Sequence, residues 1–85
     1  MRYLIVYKKA AEKELLHLPG KYARKIHKTI NNLSETPRPH GCKKLTGSVN
    51  EYRIRIGNYR ILYTVTDDVL TVYVIKIAHR KDVYR

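Results

Sequence analysis

The stretch Tyr52-Arg53-Ile54-Arg55-Ile56-Gly57-Asn58-Tyr59-Arg60-Ile61-Leu62-Tyr63 decides the fold. Glu51 to Ile56 alternates cleanly between apolar and charged side chains, the period of a strand with one face in a core. Tyr59 to Val65 reads as the next strand. Gly57-Asn58 separates the two with glycine first, a hairpin signal that suits a type II′ turn. So short a loop commits a register: Ile56 pairs with Tyr59, Arg55 with Arg60, Ile54 with Ile61, Arg53 with Leu62 and Tyr52 with Tyr63. Tyr52, Ile54, Ile56, Tyr59, Ile61, Tyr63 and Val65 then share a face that must be covered, while Arg53, Arg55 and Arg60 share the other. Arg55 directly across from Arg60 is a like-charge pair, which destabilises a sheet by up to about 1 kcal/mol. A sequence selected for folding alone would place a glutamate at one of the two.

Downstream, Asp67-Asp68 reads as another tight turn, and Val69 to Ala78 is an almost continuous apolar run, the pattern of a strand buried on both faces. Extending the register through Asp67-Asp68 places Ile75 beside Arg60. The tail from His79 then starts about four residues, roughly 13 Å of extended chain, past that point and can fold back to the arginines. Upstream, Cys42 to Leu45 is a weak edge strand and Thr46 to Asn50 a turn. Tyr3-Leu4-Ile5-Val6-Tyr7 is β-branched and aromatic, a first strand. From Lys8, the residues Ala10, Ala11, Glu14, Leu15 and Leu18 recur at helical spacing until Pro19-Gly20 stops them. Ala23, Ile26, Ile30 and Leu33 paint one apolar stripe along a second helix, with Lys21, Arg24, Lys25 and Lys28 opposite. Thr36-Pro37-Arg38-Pro39 ends that helix. The order β-α-α-β-β-β(-β) describes a two-layer α+β domain, a helical hairpin packed on one face of an antiparallel sheet.

Composition sets the bounds. The chain has 85 residues, with 18 Lys and Arg against 7 Asp and Glu, a net charge of +11 and a hydrophobic fraction of 44%. This length holds one domain, residues 1–85, and buries only about 60% of the surface its unfolded form exposes. The apolar fraction excludes a disordered basic tail. No apolar run approaches the ~20 residues of a membrane span, and no signal-peptide stretch follows Met1, so the expectation is a soluble, cytoplasmic protein. Cys42 stands alone, which excludes disulfide and structural zinc scaffolds. A compact domain holds a charge of +11 against self-repulsion, and nucleic acid is the first candidate for the missing negative partner, with an acidic protein second. The 8 Tyr, without Phe or Trp, chiefly serve packing with their hydroxyls at the surface.

The candidate constellation is therefore Arg53, Arg55 and Arg60 on a rigid sheet, with His79, Arg80 and Tyr84 on a nearby tail. Cations preorganised on strands are what a phosphorane-like transition state requires, and arginine matches phosphate oxygens bidentately. Lys43 and Lys44, ahead of Leu45-Thr46-Gly47, either touch phosphate or protect an edge strand from aggregation. A solvated surface, or a platform for nucleic-acid backbone without chemistry, would present the same basic face. His17, His27 and His40 lie apart from the cluster.

These residues resemble the RelE group of the RelE/ParE toxin superfamily. The resemblance runs through Lys43-Lys44-Leu45-Thr46-Gly47, the Tyr52 to Tyr63 hairpin and the ending His79-Arg80-Lys81-Asp82-Val83-Tyr84-Arg85, and covers nearly the whole chain. It implies the toxin of a type II toxin–antitoxin system, a ribosome-dependent endonuclease that cuts mRNA in the ribosomal A site and is silenced by an acidic cognate antitoxin. It further implies that the RNA 2′-hydroxyl attacks the adjacent phosphate and the 5′-oxygen leaves, with no metal or cofactor. On this resemblance Arg60 binds the phosphate, and Arg53 and Arg55 neutralise it and lower the pKa of the base. Arg80 stabilises charge or protonates the leaving oxygen, and Tyr84 is the general base, with His79 as the alternative. Lys43, Lys44 and His79 complete the RNA contacts. A free tyrosine titrates near about 10, so Tyr84 works at neutral pH only if the arginines favour its phenolate. Two rivals stay open: a ParE-like toxin that poisons DNA gyrase, and a small basic RNA-binding module without catalysis. Gyrase poisons generally lack the arginine–tyrosine set, so Arg60, Arg80 and Tyr84 weigh against the first.

Overall fold

The computed structural model describes residues 2–81. The chain runs β1 (Leu4–Tyr7), α1 (Lys9–Leu16), α2 (Gly20–Asn32), β2 (Lys43–Lys44), β3 (Glu51–Ile56), β4 (Tyr59–Thr66) and β5 (Thr71–His79). Pro19, extended at φ −53 and ψ 139, separates the helices and leads directly into α2. The sheet order is β1-β5-β4-β3-β2. All neighbours are antiparallel except β1 with β5, so the final strand returns to lie beside the first.

The helices cover one face of the sheet. Ala11 of α1 and Ile26 and Ile30 of α2, with Leu33 just beyond, meet Ile54, Ile56, Ile61, Tyr63, Val65, Val72, Val74 and Ile77 in a single buried cluster. Each fully buried aliphatic side chain there contributes about 1.5–3 kcal/mol relative to exposure. The hairpin face expected to pack under the helices is the one that does. Beyond Tyr7 the β1 side of β5 has no strand partner among the described residues, and Glu14 of α1 fills that role, accepting a hydrogen bond from the Ile77 N–H at 3.0 Å.

The β3–β4 register matches the sequence reading at every pair from Ile56–Tyr59 to Tyr52–Tyr63. Gly57 has φ +57 while Asn58 is not among the positive-φ residues, as a type II′ turn requires. The β4–β5 register departs from expectation. Asp67–Val69 forms a 3-10 turn that Leu70 closes in the left-handed region (φ 45, ψ 53), so Thr66 pairs with Thr71 across a longer connection than an Asp67-Asp68 turn allows. A bulge follows, since Leu62 pairs with Lys76 but Tyr63 with Val74, leaving Ile75 as the extra residue. Together these slide β5 so that Ala78, not Ile75, stands opposite Arg60. An odd slip exchanges the two faces of a strand. Nor is β5 buried on both faces: it is flanked by β1 and β4, yet its uncovered side carries Tyr73 at 39% exposure.

At the end of the sheet remote from the Gly57-Asn58 turn, side chains pin the long connection after α2. Arg38 donates to both carboxylate oxygens of Asp67 (2.9 and 3.3 Å) and to the Tyr52 hydroxyl (2.8 Å), and the Tyr3 hydroxyl donates to Asp67 at 2.6 Å. The guanidinium of Arg38 and the Tyr3 hydroxyl hold the Asp67 carboxyl below its ordinary pKa. Beneath them the Tyr63 ring stacks on Tyr52, and its hydroxyl donates to the Pro37 carbonyl at 2.9 Å. Burial first, and Cys42 second, push the Tyr63 phenol well above its usual range. This clamp delivers Lys43 to the edge of β3.

Candidate functional site

Arg53, Arg55 and Arg60 emerge together on the face the helices leave uncovered, as the register demands. Arg55 lies directly opposite Arg60, and Lys43 directly opposite Arg53. Residues paired across a ladder share a face, so Lys43 joins the arginines. Lys44 does not: its partner is Tyr52, on the helix-facing side. Lys43, Lys44, Leu45, Thr46 and Arg53 line a groove of about 450 Å³ at this edge.

Arg60 is unusual for a sheet surface, at only 9% exposed. Its Nη1 donates to the carbonyls of Tyr59 (3.2 Å) and Gly57 (3.5 Å), which folds the guanidinium back over the turn. Arginine is seldom buried unless its donors are satisfied, and these carbonyls hold the head group near the hairpin end.

Arg80 arrives at the same place by a backbone contact. Its N–H donates to the Asn58 carbonyl at 2.7 Å, so the chain leaving β5 is tied to the β3–β4 turn. The slipped register makes this possible, since β5 ends with His79 opposite Tyr59 rather than running several residues past it. His79 is not brought to the cluster. Paired with Tyr59, it lies on the helix-facing side, where its ring meets the Tyr59 ring edge-on at 5.6 Å and Tyr59 in turn contacts Tyr22 of α2 at 5.1 Å. Its Nδ1 accepts from the Lys81 N–H at 3.3 Å. Tyr84 lies outside the described residues.

The sequence reading missed Lys76. Opposite Leu62, which is itself opposite Arg53, it belongs to the arginine face. Its signal was a lone lysine in an apolar strand, and under an Asp67-Asp68 turn it would have faced the helices. Among the described residues, the face the helices leave uncovered thus gathers Lys43, Arg53, Arg55, Arg60 and Lys76 against Glu51, which sits opposite Thr64 at its margin. Such a surface can hold the backbone of a polyanion and spread charge from a phosphate in reaction.

The family model described as the ParE toxin of type II toxin-antitoxin system, parDE, matches residues 5–84. The chain belongs to this toxin family. Relatives of the ParE-family chain carry RelE names. Toxin RelE3 of Methanocaldococcus jannaschii is 36% identical over 84 residues, 94% of this chain and 93% of that protein. The mRNA interferase toxin RelE of Escherichia coli is 29% identical over 83 residues, 95% of this chain and 86% of its own. In structure, a chain of the archaeal RelE-RelB complex from Pyrococcus horikoshii OT3 superposes with a TM-score of 0.85 at 28% identity, covering 96% of this toxin and 99% of that chain. The two-layer α+β architecture is accordingly that of RelE toxins.

Proposed function

We propose that this ParE-family toxin is a ribosome-dependent mRNA endonuclease of the RelE type. The observation that carries the reading is the convergence at one hairpin end: Arg55 opposite Arg60, with Arg80 tied through its backbone to Asn58. The name of the E. coli relative supplies the substrate class. The message lies across the uncovered face with its scissile phosphate at Arg60. The RNA 2′-hydroxyl attacks that phosphorus as a base takes its proton, and charge accumulates on the non-bridging oxygens. The Arg55 and Arg60 guanidiniums, fixed by strands before substrate arrives, favour this charge over the ground state. The bond to the 5′-oxygen breaks, and that oxygen takes a proton on the Arg80 side. The products are a 2′,3′-cyclic phosphate and a 5′-hydroxyl, and no metal is required.

For the base, the placement of His79 against Tyr59 favours Tyr84, which serves at neutral pH only where arginines favour its phenolate. Arg53 and Lys43 hold the flanking backbone. Lys44 and His79, turned from the arginines, contact RNA or ribosome only from the opposite side. The work is done in the cytoplasm, where messages are decoded. The structures of RelE-RelB complexes support a cognate antitoxin as partner, and the charge of +11 suits an acidic one that folds on binding.

Toxin added to an in vitro translation reaction, followed by primer extension and analysis of the new RNA ends, tests the reading. Cuts within the decoded codon bearing 2′,3′-cyclic phosphate and 5′-hydroxyl ends are expected. Intact message together with inhibited gyrase supercoiling would overturn it, and ends bearing 5′-phosphate would overturn the chemistry.

A further inference from the structure

We propose that Lys76 holds the message at the phosphate next to the scissile one, an inference that rests on the nuclease reading. In the β5 sequence Thr71-Val72-Tyr73-Val74-Ile75-Lys76-Ile77-Ala78-His79, Lys76 is an isolated ammonium among apolar neighbours. The 3-10 turn and the bulge at Ile75 bring it to the arginine face, in a row that crosses the sheet as Lys43, Arg53, Leu62, Lys76. The parallel row Arg55, Arg60, Ala78 lies two residues further along β3 and β4. That offset is about 7 Å at the rise of a strand, and the backbone bonds of one nucleotide span such a distance. One row meets the scissile phosphate and the other its neighbour.

Three features of Lys76 fit a phosphate contact. It is half-buried and makes no ion pair with another described residue. Glu51, the carboxylate on this face among the described residues, sits opposite Thr64, on the far side of the Lys43–Lys76 row from Arg55 and Arg60. Leu62 separates Lys76 from Arg53, which keeps the two cations from direct opposition and spaces them about 10 Å apart across the strands. A lysine there offers a point charge and no rigid fork, which suits holding a backbone rather than stabilising a reacting centre.

The test is cleavage of message on programmed ribosomes at saturating and subsaturating toxin, over a range of salt, with wild type, Lys76→Gln and Lys76→Arg. For Lys76→Gln the half-saturating toxin concentration should rise about tenfold, the plateau rate should stay within about threefold, and the slope of log affinity against log salt should fall by about 1. Lys76→Arg should restore both affinity and slope. Unchanged saturation and slope in Lys76→Gln, with wild type active, would overturn the inference and leave the nuclease reading standing. A lowered plateau at unchanged saturation would also overturn it, by moving Lys76 into the chemistry. A wild type that cuts no message overturns the reading beneath and the inference with it.

Discussion

Arg55 and Arg60 stand directly opposite each other across the β3–β4 hairpin, on the face the helices leave uncovered. Their repulsion is a cost to the fold, so relieving it should separate stability from activity. Arg55→Glu is expected to stabilise the protein by about 0.2–1 kcal/mol while lowering message cleavage by about 10²-fold or more, the scale of losing one preorganised donor to a developing anion. Thermal unfolding alongside single-turnover cleavage checks both. Arg55→Glu that is no more stable than wild type would show that the pair is already relaxed by its surroundings.

The two candidate bases make different demands. His79 packs on Tyr59 and accepts from the Lys81 N–H, both of which an asparagine amide can partly reproduce. His79→Asn should keep cleavage within a few-fold of wild type, whereas Tyr84→Phe should lose about 10²–10⁴-fold, the range of a missing general base. The reverse pattern in single-turnover rates would assign the base to His79.

Glu14 reaches from α1 to the Ile77 N–H at 3.0 Å, at a strand edge that β1 is too short to cover. Glu14→Ala leaves that buried donor without a partner, and stability should drop by about 1–3 kcal/mol. Glu14→Gln, which keeps an acceptor oxygen, should recover most of the loss. Denaturant midpoints at constant m-value measure both.

The Arg38–Asp67–Tyr3 clamp carries a sign in pH. Arg38, then Tyr3, depress the Asp67 pKa in the folded state, so Asp67 contributes stability above its unfolded pKa of about 4. That contribution is lost as pH falls through the lower folded value. Asp67→Asn should flatten the acid limb of the stability profile below about pH 4. Thermal midpoints across the acid range test this, and a profile parallel to wild type would remove the clamp from acid sensitivity.

Much of the architecture is written locally. Gly57 with φ +57 selects the turn, the turn sets the pairing, and the period of two in Arg53, Arg55 and Arg60 against Ile54, Ile56 and Ile61 divides the strands into an arginine face and a core face. The stripe through Ile26, Ile30 and Leu33 says equally plainly that a helix must cover the latter. These are short-range rules, and each residue obeys them wherever the rest of the chain lies.

What the sequence alone determined is the hairpin, its two faces and the excess of positive charge. Tertiary structure decided where β5 comes to rest. Leu70 in the left-handed region and a bulge at Ile75 are not signalled by residue type, because they answer to packing against β1, β4 and α1 together. Their combined slip carries Lys76 to the arginines, turns His79 toward Tyr59 and lets Arg80 reach Asn58. A strand's side chains alternate, so a shift by an odd number of residues, invisible in composition, redistributes every one of them between core and site.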